Sequence, residues 1–180
     1  MKDRYEFPIN THGLILATCK IEDMNLDDAE HFLNQGKTFE EFVEKIDWKK
    51  FEQLIKDVFS VHGFHSVSNF RFKTSKRFEI DIIAVKDKVA FAVDCKEWDK
   101  GRYKDSGLRK AAADQIQRTN EFKKFFEKNP IARSRLKLSV DSEVTPLVVT
   151  WYEENVAGFA NCFIIPAWKL NTFLLSYDSY

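Results

Sequence analysis

Two apolar runs, Ile80 to Val85 and Val89 to Cys95, hold no Pro or Gly, are rich in β-branched and aromatic residues, and flank the polar turn Lys86-Asp87-Lys88. That pattern predicts an antiparallel hairpin buried on both faces. An even-membered loop, pairing Lys86 with Val89 and Val85 with Ala90, sets Asp81 directly opposite Asp94. Alternation then gives one face as Asp81, Ile83, Val85, Ala90, Ala92, Asp94 and Lys96, and the other as Ile80, Ile82, Ala84, Val89, Phe91, Val93 and Cys95. Both faces are apolar except at one end, where three charges gather.

The remaining periodicity surrounds this hairpin with helices and strands. Asp47 is placed to cap a helix from Trp48 to about His62, stopped by Gly63, with Trp48, Phe51, Leu54, Ile55, Val58 and Phe59 as its apolar stripe. Glu52 projects from the flank of that stripe. Phe64 to Lys73 reads as a strand, and Thr74 to Arg77 as the turn into the hairpin. A loop over 99–107 leads to a long helix from about Ser106 to Asn129, ended by Pro130. Its buried stripe is Leu108, Ala111, Ala112, Ile116, Thr119, Phe122 and Phe126, with Gln115 in the middle, where an amide must find partners. Thr145 to Tyr152 and Asn161 to Ile165 read as strands, and Ala167 to Leu175 as a final helix opened by Pro166. The order predicts an α/β sandwich with a mixed sheet. Ahead of it, residues 1–46 read as an accessory unit, with a hairpin over 4–21, a short helix ending near Gly36 and another opened by Thr38; residues 47–180 form the main domain.

Opposed carboxylates on neighbouring strands have Cβ atoms about 4.5–5.5 Å apart. At that distance they repel by roughly 3 kcal/mol for an effective dielectric of about 20. A proton or a cation relieves the repulsion, and hard oxygen ligands suit Mg²⁺ or Mn²⁺. Asp81, Asp94 and the Cys95 carbonyl are the candidate ligands. Lys96 lies close enough to polarise a metal-bound water or a phosphate oxygen, which is the equipment of phosphodiester hydrolysis. An ordinary salt-bridge cluster of Asp81, Asp94 and Lys96 is the bland alternative.

Composition narrows the setting. Seventeen Phe and four Trp argue against disorder, and no apolar run reaches the length of a membrane span. Met1 to Tyr5 lacks the apolar stretch of a signal peptide, so a soluble, cytoplasmic protein is expected. Cys19, Cys95 and Cys162 are too scattered for a zinc site or a disulfide framework. Net charge is zero, yet it is −5 over residues 1–66, +1 over 67–99, +8 over 100–137 and −4 over 138–180. The basic block begins four residues after Lys96 and includes Lys100, Arg102, Lys104, Arg109, Lys110 and Arg118. A phosphate-tracking surface is its functional reading, and a solvated helix face the alternative. Arg71 and Lys73 are further candidates for phosphate contact at the sheet edge.

Glu52, Asp81 and Asp94-Cys95-Lys96 resemble the PD-(D/E)XK nuclease signature, a helix Glu followed by a strand Asp and then (Asp/Glu)-x-Lys on the next strand. The phrases Glu79-Ile80-Asp81-Ile82-Ile83-Ala84 and Val93-Asp94-Cys95-Lys96-Glu97-Trp98 are most similar to archaeal Holliday-junction resolvases and Mrr-like restriction endonucleases. The likeness runs from about Asp47 to Gln117. Ile80 stands where the motif's Pro would be, and Asp94 where Glu is common. The resemblance implies a restriction-endonuclease-like three-layer sandwich and a Mg²⁺- or Mn²⁺-dependent endonuclease acting on DNA in restriction, repair or junction resolution. It implies Glu52 as a further metal ligand and Gln115 as a positioning residue on the helix after the Lys strand. A non-cleaving nucleic-acid-binding or assembly module on the same fold is the competing reading. Homodimerisation is compatible with the sequence, which does not choose it.

Overall fold

In the computed structural model, residues 47–96, 104–151 and 157–177 are described, together with Gly36. Helix α1 spans Trp48–Val61; Asp47 caps it by accepting the Lys50 N–H at 3.0 Å, and Gly63, at φ +80°, supplies the left-handed residue after its end. Strands β1 (His65–Lys73), β2 (Arg77–Lys86) and β3 (Val89–Lys96) follow, then α2 (Lys104–Glu127), α3 (Pro130–Leu136) and β4 (Glu143–Thr150). Strands β5 (Gly158–Phe159) and β6 (Cys162–Pro166), a 3₁₀ turn over Ala167–Lys169 and α4 (Leu170–Tyr177) complete the described chain.

The strands form one six-stranded mixed sheet in the order β1-β2-β3-β4-β6-β5. β1, β2 and β3 are mutually antiparallel, whereas β4 runs parallel to both β3 and β6. On one face, Phe51, Ile55 and Phe59 of α1 and Leu170 and Leu174 of α4 bury against Ile82, Ala84, Phe91, Val93 and Cys95. The opposite face is covered by α2, whose buried positions include Leu108, Ala111, Ala112, Thr119, Phe122 and Phe126. Its first turns, at Leu108 and Ala112, pack with Val148 of β4 and Ile164 of β6. Phe122 and Phe126 pack with Phe70, Phe72, Phe78 and Ile80 of β1 and β2. The helix therefore crosses the sheet obliquely and brings its middle, Gln115 to Arg118, over β3.

The turn Asp87-Lys88 is even-membered, so Lys86 pairs with Val89, Val85 with Ala90, and the ladder continues to Ile82 with Val93. Asp81 and Asp94 would be the next pair. The faces follow the expected alternation with one correction. Ile80 belongs to the α2 side together with Ile83, not to the α1 side with Ile82. Positions three apart share a face because β1 and β2 kink together. Their register is constant from His65 with Val85 to Lys73 with Arg77, but pairing lapses at Asn69 and Asp81, and Asn69 has φ +52°. Asn tolerates that left-handed conformation, which a β-branched residue resists. In β1 the same kink puts Val67 and Phe70 on one side.

Helix α3 and strand β5 go beyond the sequence expectation, which ended the long helix at Pro130 and named no element at either place. Asn129 caps α3 through the Ala132 N–H at 3.0 Å, Pro130 opens it, and Lys137 at φ +58° closes it. The hairpin and short helices expected over residues 1–46 lie outside the described residues, Gly36 excepted; of the loop expected over 99–107, residues 99–103 also lie outside them, whereas 104–107 already form the first turn of α2.

Candidate active site

Where the β2–β3 ladder stops at Ile82 and Val93, the two strands part: Arg77 to Ile80 stay paired with β1, while Asp94 to Lys96 stay paired with β4. Asp81 sits in the crotch of this fork. Its Oδ2 accepts the Cys95 N–H at 2.9 Å, so a carboxylate takes the place of a strand partner. Burial, and then the Asp94 charge, with a smaller push from Glu52, raise the Asp81 carboxyl to about 6, against the Cys95 hydrogen bond and the Lys96 charge, which pull it down.

Asp94 is almost fully buried, at 1% exposed. Its Oδ1 accepts a short hydrogen bond from Arg118 Nη1, and Lys96 Nζ lies 2.9 Å from Oδ2. The Lys96 approach is a charge contact without hydrogen-bond geometry, which leaves Oδ2 buried with no directed donor. Gln115, fully buried, donates through Nε2 to the Ala92 carbonyl at 2.7 Å and accepts through Oε1 from Arg118 Nη1 at 3.1 Å. The amide that the sequence marks only as needing partners thus bonds the sheet through Nε2 and Arg118 through Oε1. Arg118, read from sequence as part of the DNA-facing block, instead turns inward to Asp94. Its place three residues after Gln115, on the same side of α2, is the signal that sequence reasoning passed over.

Glu52 is half-buried on the flank of α1, and its negative charge is felt at Asp81. Its carboxyl is raised by burial, lowered by a hydrogen bond with Trp48, and raised again by Glu79. Glu79 is gripped by Arg71 of β1 through two hydrogen bonds of 2.9 and 3.3 Å. Arg71 is thus an exposed edge residue already engaged by a carboxylate, and Lys73 is exposed on the same strand. The Cys95 thiol is buried in the α1-side core and held well above its ordinary value, first by burial and then by the carboxylates around it.

Among the described residues, no three His, Cys, Asp or Glu side chains stand at metal-holding spacing. The donor chemistry still fits a hard divalent cation. Asp81 is an anion destabilised by its surroundings, and Asp94 Oδ2 is a buried oxygen without a directed hydrogen bond. Asp94 is engaged instead by Arg118 and Lys96.

Of the basic block, Lys100 and Arg102 lie outside the described residues, and Lys104 is described only as the first residue of α2. Arg109 and Lys110 are exposed in the next turn, with the Arg109 guanidinium 5.8 Å from the Phe159 ring centroid.

Residues 43–125 match the Mrr_cat family model, described as restriction endonuclease, which is consistent with the PD-(D/E)XK nuclease superfamily and with the restriction-endonuclease-like fold. An uncharacterized protein of Archaeoglobus fulgidus is 27% identical over 134 residues, covering 74% of this chain and 93% of that protein. A crystal structure of a protein of unknown function aligns with a TM-score of 0.42 and 18% identity, covering 71% of this chain. This chain spans 65% of the length of that one.

Proposed function

We propose, from the match of residues 43–125 to a restriction endonuclease family model, that the chain is a divalent-metal-dependent endodeoxyribonuclease. The observation that carries this reading is the fork. Asp81 lies beside Asp94 where β2 and β3 part, with Lys96 against Asp94 and the Glu52 charge felt at Asp81. A sheet places carboxylates in such mutual strain at the cost of stability, and a cation or a proton relieves it.

Asp81 and Asp94, with Glu52 and the Cys95 carbonyl, would hold Mg²⁺ or Mn²⁺, which when bound neutralises phosphate charge and acidifies water. Lys96 orients the attacking water and stabilises charge on the phosphoryl oxygens; its side chain is 26% exposed, so its ammonium can face both Asp94 and a substrate. Gln115, anchored to the Ala92 carbonyl, holds the α2 side of the site against β3. The exposed cations at the start of α2, Arg109 and Lys110, with Lys100, Arg102 and Lys104 before them, would track the DNA backbone.

A second reading has one observation in its favour. Asp94 is already paired with both Lys96 and Arg118, as a non-cleaving nucleic-acid-binding module on this fold would leave it. Incubation with plasmid, linear, branched and single-stranded DNA in Mg²⁺, Mn²⁺ or EDTA separates the two. Cleavage that needs the metal supports the nuclease; salt-sensitive binding with no cleavage of any substrate in either metal supports the module.

A further inference from the structure

We propose that Arg118 is a built-in counter-ion for Asp94, which it neutralises in the metal-free protein and gives up when a divalent cation arrives. This rests on the metal-dependent reading above and adds a residue to it.

A carboxylate as buried as Asp94 is costly without compensation. Lys96 supplies charge but no directed hydrogen bond, whereas Arg118 supplies both. Counting Glu52, whose charge is already felt at Asp81, the metal-free site sets three carboxylates, Glu52, Asp81 and Asp94, against two cations, Lys96 and Arg118. Adding a divalent cation beside Arg118 would turn that net negative group net positive. Exchanging Arg118 for the cation restores neutrality.

Arg118 is also built to leave. Its side chain is 24% exposed, at the edge of the site, so withdrawal carries the guanidinium toward water and not deeper into the core. Its second partner, Gln115 Oε1, belongs to an amide fixed independently to the Ala92 carbonyl, so the helix stays in place when Arg118 swings away.

The test is Mn²⁺ binding, followed by electron paramagnetic resonance, in the full-length wild type, Arg118→Met and Arg118→Lys, with no DNA present. Removing the competing cation should tighten Mn²⁺ binding in Arg118→Met by on the order of tenfold. Arg118→Lys should stay near wild type, and Arg118→Met should melt at lower temperature in EDTA. A second readout needs no variant: in ¹⁵N-arginine spectra of the wild type, the Arg118 side-chain signal should move as Mg²⁺ is added. If wild type binds Mn²⁺ but Arg118→Met binds it equally or more weakly, or if Mg²⁺ leaves the Arg118 signal in place, the counter-ion role is overturned while the nuclease reading stands. Failure of Mn²⁺ to bind both wild type and Arg118→Met overturns both.

Discussion

Asp81 Oδ2 accepts the Cys95 N–H at 2.9 Å, so the last link between β2 and β3 is a side chain and not a backbone carbonyl. That substitution lets the strands part without orphaning the Cys95 amide, and it holds the Asp81 carboxylate beside Asp94. The same placement destabilises the anion, and a stability signature follows. A carboxyl raised from 3.8 to about 6 binds its proton more tightly in the folded than in the unfolded chain. Its contribution to stability therefore grows as pH falls through about 6 and is complete below about 4, a change of order 3 kcal/mol. In EDTA, Asp81→Asn should be more stable than wild type at pH 7, and the difference should shrink toward pH 5. Chemical denaturation at the two pH values checks this; a constant difference would mean that Asp81 is not a strained anion.

The joint kink of β1 and β2 should be sensitive at Asn69. Asn69→Gly should fold with unchanged or slightly altered stability, because Gly accepts φ +52° freely. Asn69→Val should destabilise the fold by about 1–2 kcal/mol and slow any cleavage, since the kink carries Asp81 into the fork. Urea denaturation alongside a cleavage assay reads both effects.

How much of this was legible in the chain depends on what local rules control. Given an even-membered turn, alternation was enough to fix the register from Lys86 with Val89 to Ile82 with Val93, which brings Asp81 and Asp94 to the next position, where the ladder ends. Helix α1 followed from the Asp47 cap and a clean stripe. The Ile80 face could not be read, since it is set by a kink shared with β1, a tertiary event. Helix α3 carried its own signals, Asn129 as a cap and Pro130 at the first turn, but Pro130 was read only as a stop. Arg118 looked like one more surface cation because charge density along the sequence does not tell which cation a buried carboxylate will recruit.

Gln115→Leu keeps the volume but removes the donor to the Ala92 carbonyl and the acceptor of Arg118 Nη1. A destabilisation of about 1–3 kcal/mol is expected. Hydrogen exchange should show the middle of α2 opening more readily than in wild type, and unchanged protection there would argue against the Gln115 anchor.

Glutamate at Arg109 and Lys110 should weaken DNA binding at every sequence tested. It should also flatten the dependence of affinity on salt by about 0.9 in log–log slope for each phosphate that is no longer neutralised. Fluorescence anisotropy over a salt series measures both; an unaltered slope would assign these residues to ordinary solvated surface.

The central claim is that Asp81 and Lys96 do different jobs in one metal-dependent cut, and paired titrations of Mg²⁺ binding and single-turnover DNA cleavage test it most directly. Asp81→Asn should lose Mg²⁺ affinity and rate together. Lys96→Ala should keep Mg²⁺ bound, at wild-type affinity or tighter, yet lose rate by orders of magnitude as water and phosphate lose their organiser. Wild-type Mg²⁺ affinity in Asp81→Asn, or a wild-type rate in Lys96→Ala, would contradict the account.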